Sequence, residues 1–449
     1  MPSSRGEFSS RFGFIMAAAG SAVGLGNIWG FPTQAASNGG AAFLLVYLLL
    51  AFTLAYPALM AEIILGRHAH ANAVTALSGV GDKSATRAIG AGAGILGFVV
   101  ASLILSFYAI VAGWMLAYFL AYLLSLVGVD SATGWLTGFS LSRNILFMGV
   151  FMGMTIAIIS AGVREGIERW SSRLMPVLLG TLLALVLYVL SLDGAMDGLK
   201  VYLMPDLSSA LEPRLIINAL GSAFFSLSLG VGTMLIYGSY ISDDENLPLA
   251  GGLVTAVDIG IAVVAGFLVL PAMYVALNNG VEIFAADGSL LSEDTLILTV
   301  LPELFGTMGV AGGVVATTFF FLMSIAALTS SISMLEVPVA YTIENHGVSR
   351  ITAVLAIGAV ISAISLVILL NFGTLFGLVI TVTTRYSQPL LGFIFCIYVG
   401  WIWRRDSLLA ELRKGSPEIT DTLFWKIWPW HLRVVCPAII LLIFVQSIR

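Results

Sequence analysis

Charge is scarce in this chain. Of 449 residues only 10% are Asp, Glu, Lys or Arg, against 59% that are hydrophobic. No soluble fold could cover so much apolar mass, so a water-soluble enzyme or binding module is excluded and a polytopic membrane protein is expected. Cysteine is scarcer still: Cys396 and Cys436 are the only two, both in or beside apolar runs, so no disulfide framework is suggested. Histidine is confined to His68, His70, His346 and His431, scattered through loops and span ends, so no metal or nucleophile constellation of an enzyme is assembled. Long linkers and low-complexity tracts are missing, and the whole of 1–449 reads as one membrane domain. A cleavable leader pattern is also missing: MPSSRGEFSSR leads into a long apolar run that reads as a retained first span.

What the chain does have is eleven apolar segments, approximately 12–34, 41–66, 90–125, 145–162, 175–192, 214–240, 249–277, 308–340, 351–370, 375–403 and 430–447. Each is far longer than the ~10 alternating residues of a barrel strand, so an all-α protein is expected. Lysine and arginine give its orientation. Fifteen of the twenty, from Arg5 and Arg11 to Lys426 and Arg433, fall on one side of the alternation. Arg143, Lys200, Arg214 and Arg449 fall on the other, and Arg385 lies inside segment 10. That bias places the N-terminus in the cytoplasm and, after eleven crossings, the C-terminus outside.

Two segments carry poor helix formers at mid-span. Segment 1 holds SAVGLGNIWGFP over 21–32, and segment 6 holds SAFFSLSLGVGTMLIYGSY over 222–240. An interior glycine costs roughly 1 kcal/mol relative to alanine and a proline about 3, so a break must bring something in return. Close helix packing through small residues is one reading. Gly-x-Gly with Asn27 and Pro32 fits it poorly. Interrupted segments five apart, at matching places in two halves, point instead to a transporter site near the midplane. An unwound helix offers N–H groups and a positive dipole end to a carboxylate, and free carbonyls to a small hard cation.

GSAVGLGNIWGFP, FFSLSLGVG and ALTSSISM resemble the neurotransmitter:sodium symporter family, in its bacterial amino-acid-transporting branch, and the similarity runs over essentially the whole chain. The resemblance implies a five-plus-five inverted-repeat transporter fold with discontinuous helices 1 and 6, repeat one over about 12–192, repeat two over about 214–403 and an eleventh helix at about 430–447. It also implies alternating access and cotransport of an amino acid or amine with sodium, two ions being expected. No organic cofactor and no nucleic-acid partner are expected; the partners are an amino acid and the lipid bilayer of a bacterial inner membrane, with the oligomeric state left open.

Carried onto these residues, the first sodium site would use Ala22, Asn27, Ser226 and Asp258, completed by the substrate carboxylate. The second would use Gly20, Val23, Ala326, Thr329 and Ser330. Asp258 is costly in a membrane segment unless it has a partner or a task. With this fixed anion, and Ala262 and Ser222 where chloride-binding side chains would stand, chloride independence is expected. The substrate's carboxylate would meet Leu25, Gly26 and the Tyr108 hydroxyl, and its ammonium the carbonyls of Ala22, Phe225 and Ser226. Ser21, Val23, Ile104, Tyr108, Phe225, Ser228, Val231, Ser330 and Met334 would surround its side chain. That wall has no charge, so a neutral, hydrophobic amino acid is expected.

The gates depart from the family pattern. The outer arginine, acid and glutamine are replaced by Gly30, by no acid between Leu370 and Trp403, and by Ser222, leaving Tyr108 and Phe225 as the lid. Arg385 is read in two ways: as a replacement gate or binder of an acidic substrate's second carboxylate, or as a partner of helix ends or Glu62. The inner gate would join Arg5 to Glu344, with Phe8 and Tyr240 beside them. Gly166 and Pro176 have the spacing associated in this family with unwinding of segment 5 toward the cytoplasm; an ordinary helix start near Pro176 is the other reading. Among rival functions, a channel would need a continuous pore lined by polar rings. An amino-acid sensor on the same fold stays open, and flux separates it from a transporter.

Overall fold

Long apolar runs in lipid must satisfy every peptide group internally, and they do so here as helices. The computed structural model describes residues 6–204, 210–285, 290–291 and 296–448. Among them a single isolated bridge, Phe284 with Leu290, is the only β structure. Eight continuous helices are long and apolar enough to cross a membrane: Ala41–Ala69, Ser84–Leu126, Leu141–Ser160, Val163–Leu190, Leu247–Asn278, Ala311–His346, Arg350–Leu370 and Leu423–Gln446. Segments 1, 6 and 10 complete the eleven. Segment 10 runs Phe372–Ile402 and turns by 101° into the short helix Arg405–Gly415.

Segment 1 is broken: Arg11–Ala22 and Gly26–Ser37 meet at 59°. Segment 6 is broken between Pro213–Ser226 and Thr233–Gly238. Both breaks fall where glycine, serine and asparagine interrupt the apolar pattern. Pro32 is not itself the break; it lies inside the second half-helix, just after the π-turn Gly26–Gly30.

Helix ends differ from the hydropathy boundaries. Segment 3 starts at Ser84 and segment 11 at Leu423, several residues before their apolar runs, because hydropathy marks the lipid-facing length and not the end of the hydrogen-bond ladder. Segment 5 differs most. It starts at Val163 with a π-turn to Glu168 and runs through Pro176 to Leu190, so neither a helix start near Pro176 nor an unwound stretch is present in this conformation.

Candidate functional site

The break in segment 1 comes at Val23, whose ψ of 104° takes the chain out of the helix. Carbonyls that would have been used one turn on are thereby released. Those of Gly20 and Val23 accept instead from the Ser330 hydroxyl, at 3.3 and 3.1 Å. Thr329, one residue earlier in segment 8, donates to the Ala326 carbonyl at 3.1 Å. Ser330 thus joins segment 8 to the freed carbonyls of Gly20 and Val23, Thr329 packs beside Gly20, and the Thr329–Ala326 bond lies within segment 8 itself.

The break in segment 6 is built from left-handed residues: Ser228, Gly230 and Gly232 have φ of 51°, 78° and 80°. Glycine takes that conformation freely; serine does so at a cost of roughly 1–2 kcal/mol. Ser228 is tied down by donating to the Ser21 carbonyl at 3.1 Å. The freed Gly230 N–H donates to Glu62 Oε1 at 2.7 Å, and Gln388 of segment 10 donates to the Leu229 carbonyl at 3.3 Å. Glu62 therefore serves the unwound turn and not Arg385, which corrects that pairing.

Between the two breaks lies a fully buried polar cluster. Asn27 Nδ2 donates to Asp258 Oδ1 at 2.7 Å and to Ser226 Oγ at 2.8 Å. The Ser226 hydroxyl donates to Asp258 Oδ2 at 2.7 Å. Three elements, segments 1, 6 and 7, thus deliver a carboxylate, an amide and a hydroxyl to one point within a dry interior, where electrostatic interactions are strong.

Two cavities meet at these breaks. The upper one, about 1570 Å³, opens to one face of the molecule and contains Gly30, Ser222, Arg214 and Arg385. The lower one has only about 20 Å³ of free space and is lined by Ala22, Gly24, Asn27, Ile104, Ser228, Val231, Ser330, Met334 and Gln388. Leu25, Gly26, Tyr108 and Phe225 border both. The Tyr108 hydroxyl accepts from the Leu25 N–H at 3.3 Å. Ser21, Val23 and Ser226 do not line the lower pocket as expected. Ser21 donates to Ser333 at 2.7 Å, and Ser226 is committed to Asp258.

At the opposite face the aromatic cluster is present: Phe8 packs its ring against Phe14, Tyr237 and Tyr240, and its N–H donates to the Tyr240 carbonyl at 3.0 Å. Tyr240, however, gives its hydroxyl to Glu336 at 2.6 Å, and Glu336 takes a two-pronged contact from Arg350 at 2.6 and 3.1 Å. Glu344 accepts from Asn72 through both its N–H and its amide, at 2.9 and 2.8 Å. Arg5 lies outside the described residues. Glu336, Arg350 and Gln388 were missed in the sequence reading. An acid inside SMLEVPVA is a signal in its own right, since intramembrane carboxylates need partners; Gln388 offers no such signal.

Comparison with known proteins agrees over the full length. The model of the sodium:neurotransmitter symporter family matches residues 5–138 and 140–449. The chain is similar to an uncharacterized sodium-dependent transporter, YhdH, of Bacillus subtilis, at 33% identity over 98% of this chain and 97% of that protein. To the sodium- and chloride-dependent taurine transporter of Rattus norvegicus it is 24% identical, covering 100% of this chain and 78% of that protein. Among solved structures it is similar to MhsT in complex with L-phenylalanine, with a TM-score of 0.85 and 36% identity over 99% of this chain and 100% of that one.

Proposed function

Because this chain belongs to the sodium:neurotransmitter symporter family, a family of sodium-coupled transporters, we propose that it takes up a neutral, hydrophobic L-amino acid with sodium, by alternating access and without chloride. The observation that carries this reading is the uncharged, largely apolar lower pocket lying directly on the Asn27–Ser226–Asp258 cluster. The relative solved with L-phenylalanine supports the hydrophobic side chain.

Sodium, as cotransported ion, would be held first by Ala22, Asn27, Ser226 and Asp258. All four supply hard oxygens; Asn27 does so once its amide turns its Oδ1, in place of Nδ2, toward the ion. A buried carboxylate without a cation is expensive, so Asp258 gives the ion a strong reason to enter. The substrate carboxylate then joins beside it, at Leu25, Gly26 and Tyr108. The second ion would take the carbonyls of Gly20, Val23 and Ala326 with Thr329 and Ser330. With Asp258 supplying the fixed negative charge and Ala262 one turn on, no chloride is needed.

The wide upper cavity and the packed Phe8–Tyr240 side describe an outward-facing state in this reading, with the N-terminus cytoplasmic and the C-terminus outside a bacterial inner membrane. Closure would bring Tyr108 and Phe225 over the substrate; opening would part Tyr240 from Glu336 and Arg5 from Glu344, and loosen segment 5 between Gly166 and Pro176. Arg385 borders the upper cavity and not the lower pocket, which favours a neutral over an acidic substrate and leaves Arg385 a gating role.

Uptake of radiolabelled amino acids by proteoliposomes, competed by a panel of all common amino acids, tests this. Hydrophobic members should accumulate under a sodium gradient and equally well with gluconate replacing chloride. Binding without accumulation would make the protein a sensor. Accumulation of glutamate or aspartate alone would return Arg385 to the substrate site.

A further inference from the structure

We infer that Glu168 is a positioning residue for transport: it docks the cytoplasmic end of segment 5 onto the start of segment 1, and so keeps segment 5 wound over the second cation site. The inference rests on the sodium-site reading above for its mechanism, but not for its geometry.

Glu168 closes the π-turn Val163–Glu168 and is only 5% exposed. Its carboxylate accepts the Ser9 N–H at 2.7 Å, the Ser9 hydroxyl at 2.6 Å and the Ser10 hydroxyl at 3.1 Å. Ser10 is itself the N-cap of segment 1, accepting from the Gly13 N–H at 3.0 Å. The carboxylate thus sits at the positive end of that helix, where negative charge is favoured. No lysine or arginine among the described residues pairs with it, so its contacts with segment 1 are its compensation for burial. The approach is close enough to exclude any side chain at Gly13, where a Cβ would lie 1.9 Å from Glu168 Oε1.

Seven residues on, two turns along the same face, Met175 meets segment 1 again. Its Sδ and Cγ stand 3.3 and 3.4 Å from where a Cβ of Gly20 would be, and Thr329 flanks the same glycine at 3.2 Å. Met175 is 2% exposed. One face of segment 5 therefore touches segment 1 at the cap, through Glu168, and at the second cation site, through Met175.

The helix carries irregularities at both ends of this stretch, the π-turn Val163–Glu168 before it and Pro176 after it. Its opening π-turn is an irregularity rare in helices and frequent at functional sites. Gly166 is pressed so tightly on Ile158 that a Cβ would lie 2.1 Å from its carbonyl oxygen. Pro176 donates no hydrogen bond to the ladder. Docking at Glu168 and Met175 holds both ends of this stretch against segment 1. If the ends part, Glu168 loses all three donors and must be hydrated, so parting and water entry occur together. The contact then has two states: docked and dry, or parted and wet with Met175 lifted from Gly20.

The test uses the full chain in detergent, with Cys396→Ser and Cys436→Ser, and Met175→Cys as reporter of a charged thiol reagent. Glu168→Ala should raise the labelling rate by about tenfold or more in sodium and in potassium, in line with loss of charge-assisted hydrogen bonds. Ser9→Ala should raise it by a smaller factor, and Glu168→Gln, which keeps an acceptor for the Ser9 N–H, should fall between parent and Glu168→Ala. A purely structural role would lower the melting temperature and leave the labelling rate of the folded protein alone. That outcome, or parent-like labelling of both Glu168→Ala and Ser9→Ala, overturns the proposal; should Glu168→Ala not fold, Ser9→Ala decides. If sodium fails to slow labelling of the parent reporter, the sodium-site reading fails separately, whatever Glu168 does.

Discussion

Gly24 has little room at the lower pocket. A Cβ there would stand 2.7 Å from the Ser330 hydroxyl and 2.9 Å from the Tyr108 hydroxyl, both of them groups of the proposed ion and substrate sites. Gly24→Ala should therefore fold but displace one of the two, at about 1–3 kcal/mol of overpacking. Substrate binding by scintillation proximity is expected to weaken at least tenfold, with the melting temperature moved by only a few degrees. Asn27→Ala and Asp258→Ala test the ion directly: each should abolish sodium-dependent uptake in a protein that still runs as a sharp peak on size exclusion. Unaltered uptake in both would remove the first site. At this scale the sequence was readable wherever a polar residue stood alone in an apolar run, as Asn27, Ser226 and Asp258 do. It was not readable where direction mattered: Ser21 has the right composition for the pocket, yet its hydroxyl points to Ser333, and nothing local in the chain fixes that choice.

Segment 6 makes the corresponding case for a whole element. Its turn stands because two glycines accept left-handed backbone, and because Glu62 and Gln388 satisfy the peptide groups that unwinding exposes. Gly230→Ala meets both obstacles at once. Left-handed backbone costs an alanine roughly 1–2 kcal/mol, and its Cβ would lie 2.2 Å from the Gln388 carbonyl oxygen, which is main chain and cannot swing aside. The variant is expected to melt well below the parent in a thermal-shift assay, or to fail to accumulate in the membrane. Gly221→Ala in the same segment, with open space around its Cβ, should be neutral. The two breaks were legible because glycine and serine clusters interrupt helices by a local mechanism. The start of segment 5 was not, because its first turns are polar and are held by Ser9 and Ser10, residues more than a hundred and fifty positions away.

Across the molecule, the number and order of spans follow from hydropathy, but the way the polar connections fold back does not. The helix Arg405–Gly415 docks on the end of segment 2 through one buried pair, Arg67 Nε to Glu411 Oε1 at 2.7 Å, between residues 344 apart in the chain. Arg67 also donates to the Glu411 and Glu245 carbonyls at 2.6 and 2.7 Å, binding the loop after segment 6 into the same clasp. Lys414 reaches Glu411 and Asp243, both at 3.0 Å. Burial alone would push the Glu411 carboxyl up, but hydrogen bonds from His68, Arg67 and Lys414, together with the Arg67 charge, bring it down to about 2. Asp243 is lowered as well, mainly by its hydrogen bond from Lys414. A carboxylate held below its ordinary value of about 4.5 binds fewer protons folded than unfolded, so its stabilisation is complete above that pH and is lost as pH falls toward 2. Melting temperature should accordingly drop between about pH 4.5 and 2, and Glu411→Gln should flatten that limb while lowering stability at neutral pH. Arg67→Ala is the sharper test: it leaves Glu411 buried with its strongest partner gone, a loss of about 3–5 kcal/mol for a buried pair broken on one side. Its acid limb should move to higher pH as the carboxyl rises. An acid limb unchanged in both variants would mean that the clasp contributes nothing to stability, and that helix Arg405–Gly415 stays in place by apolar contacts such as buried Leu408 and Leu412 alone.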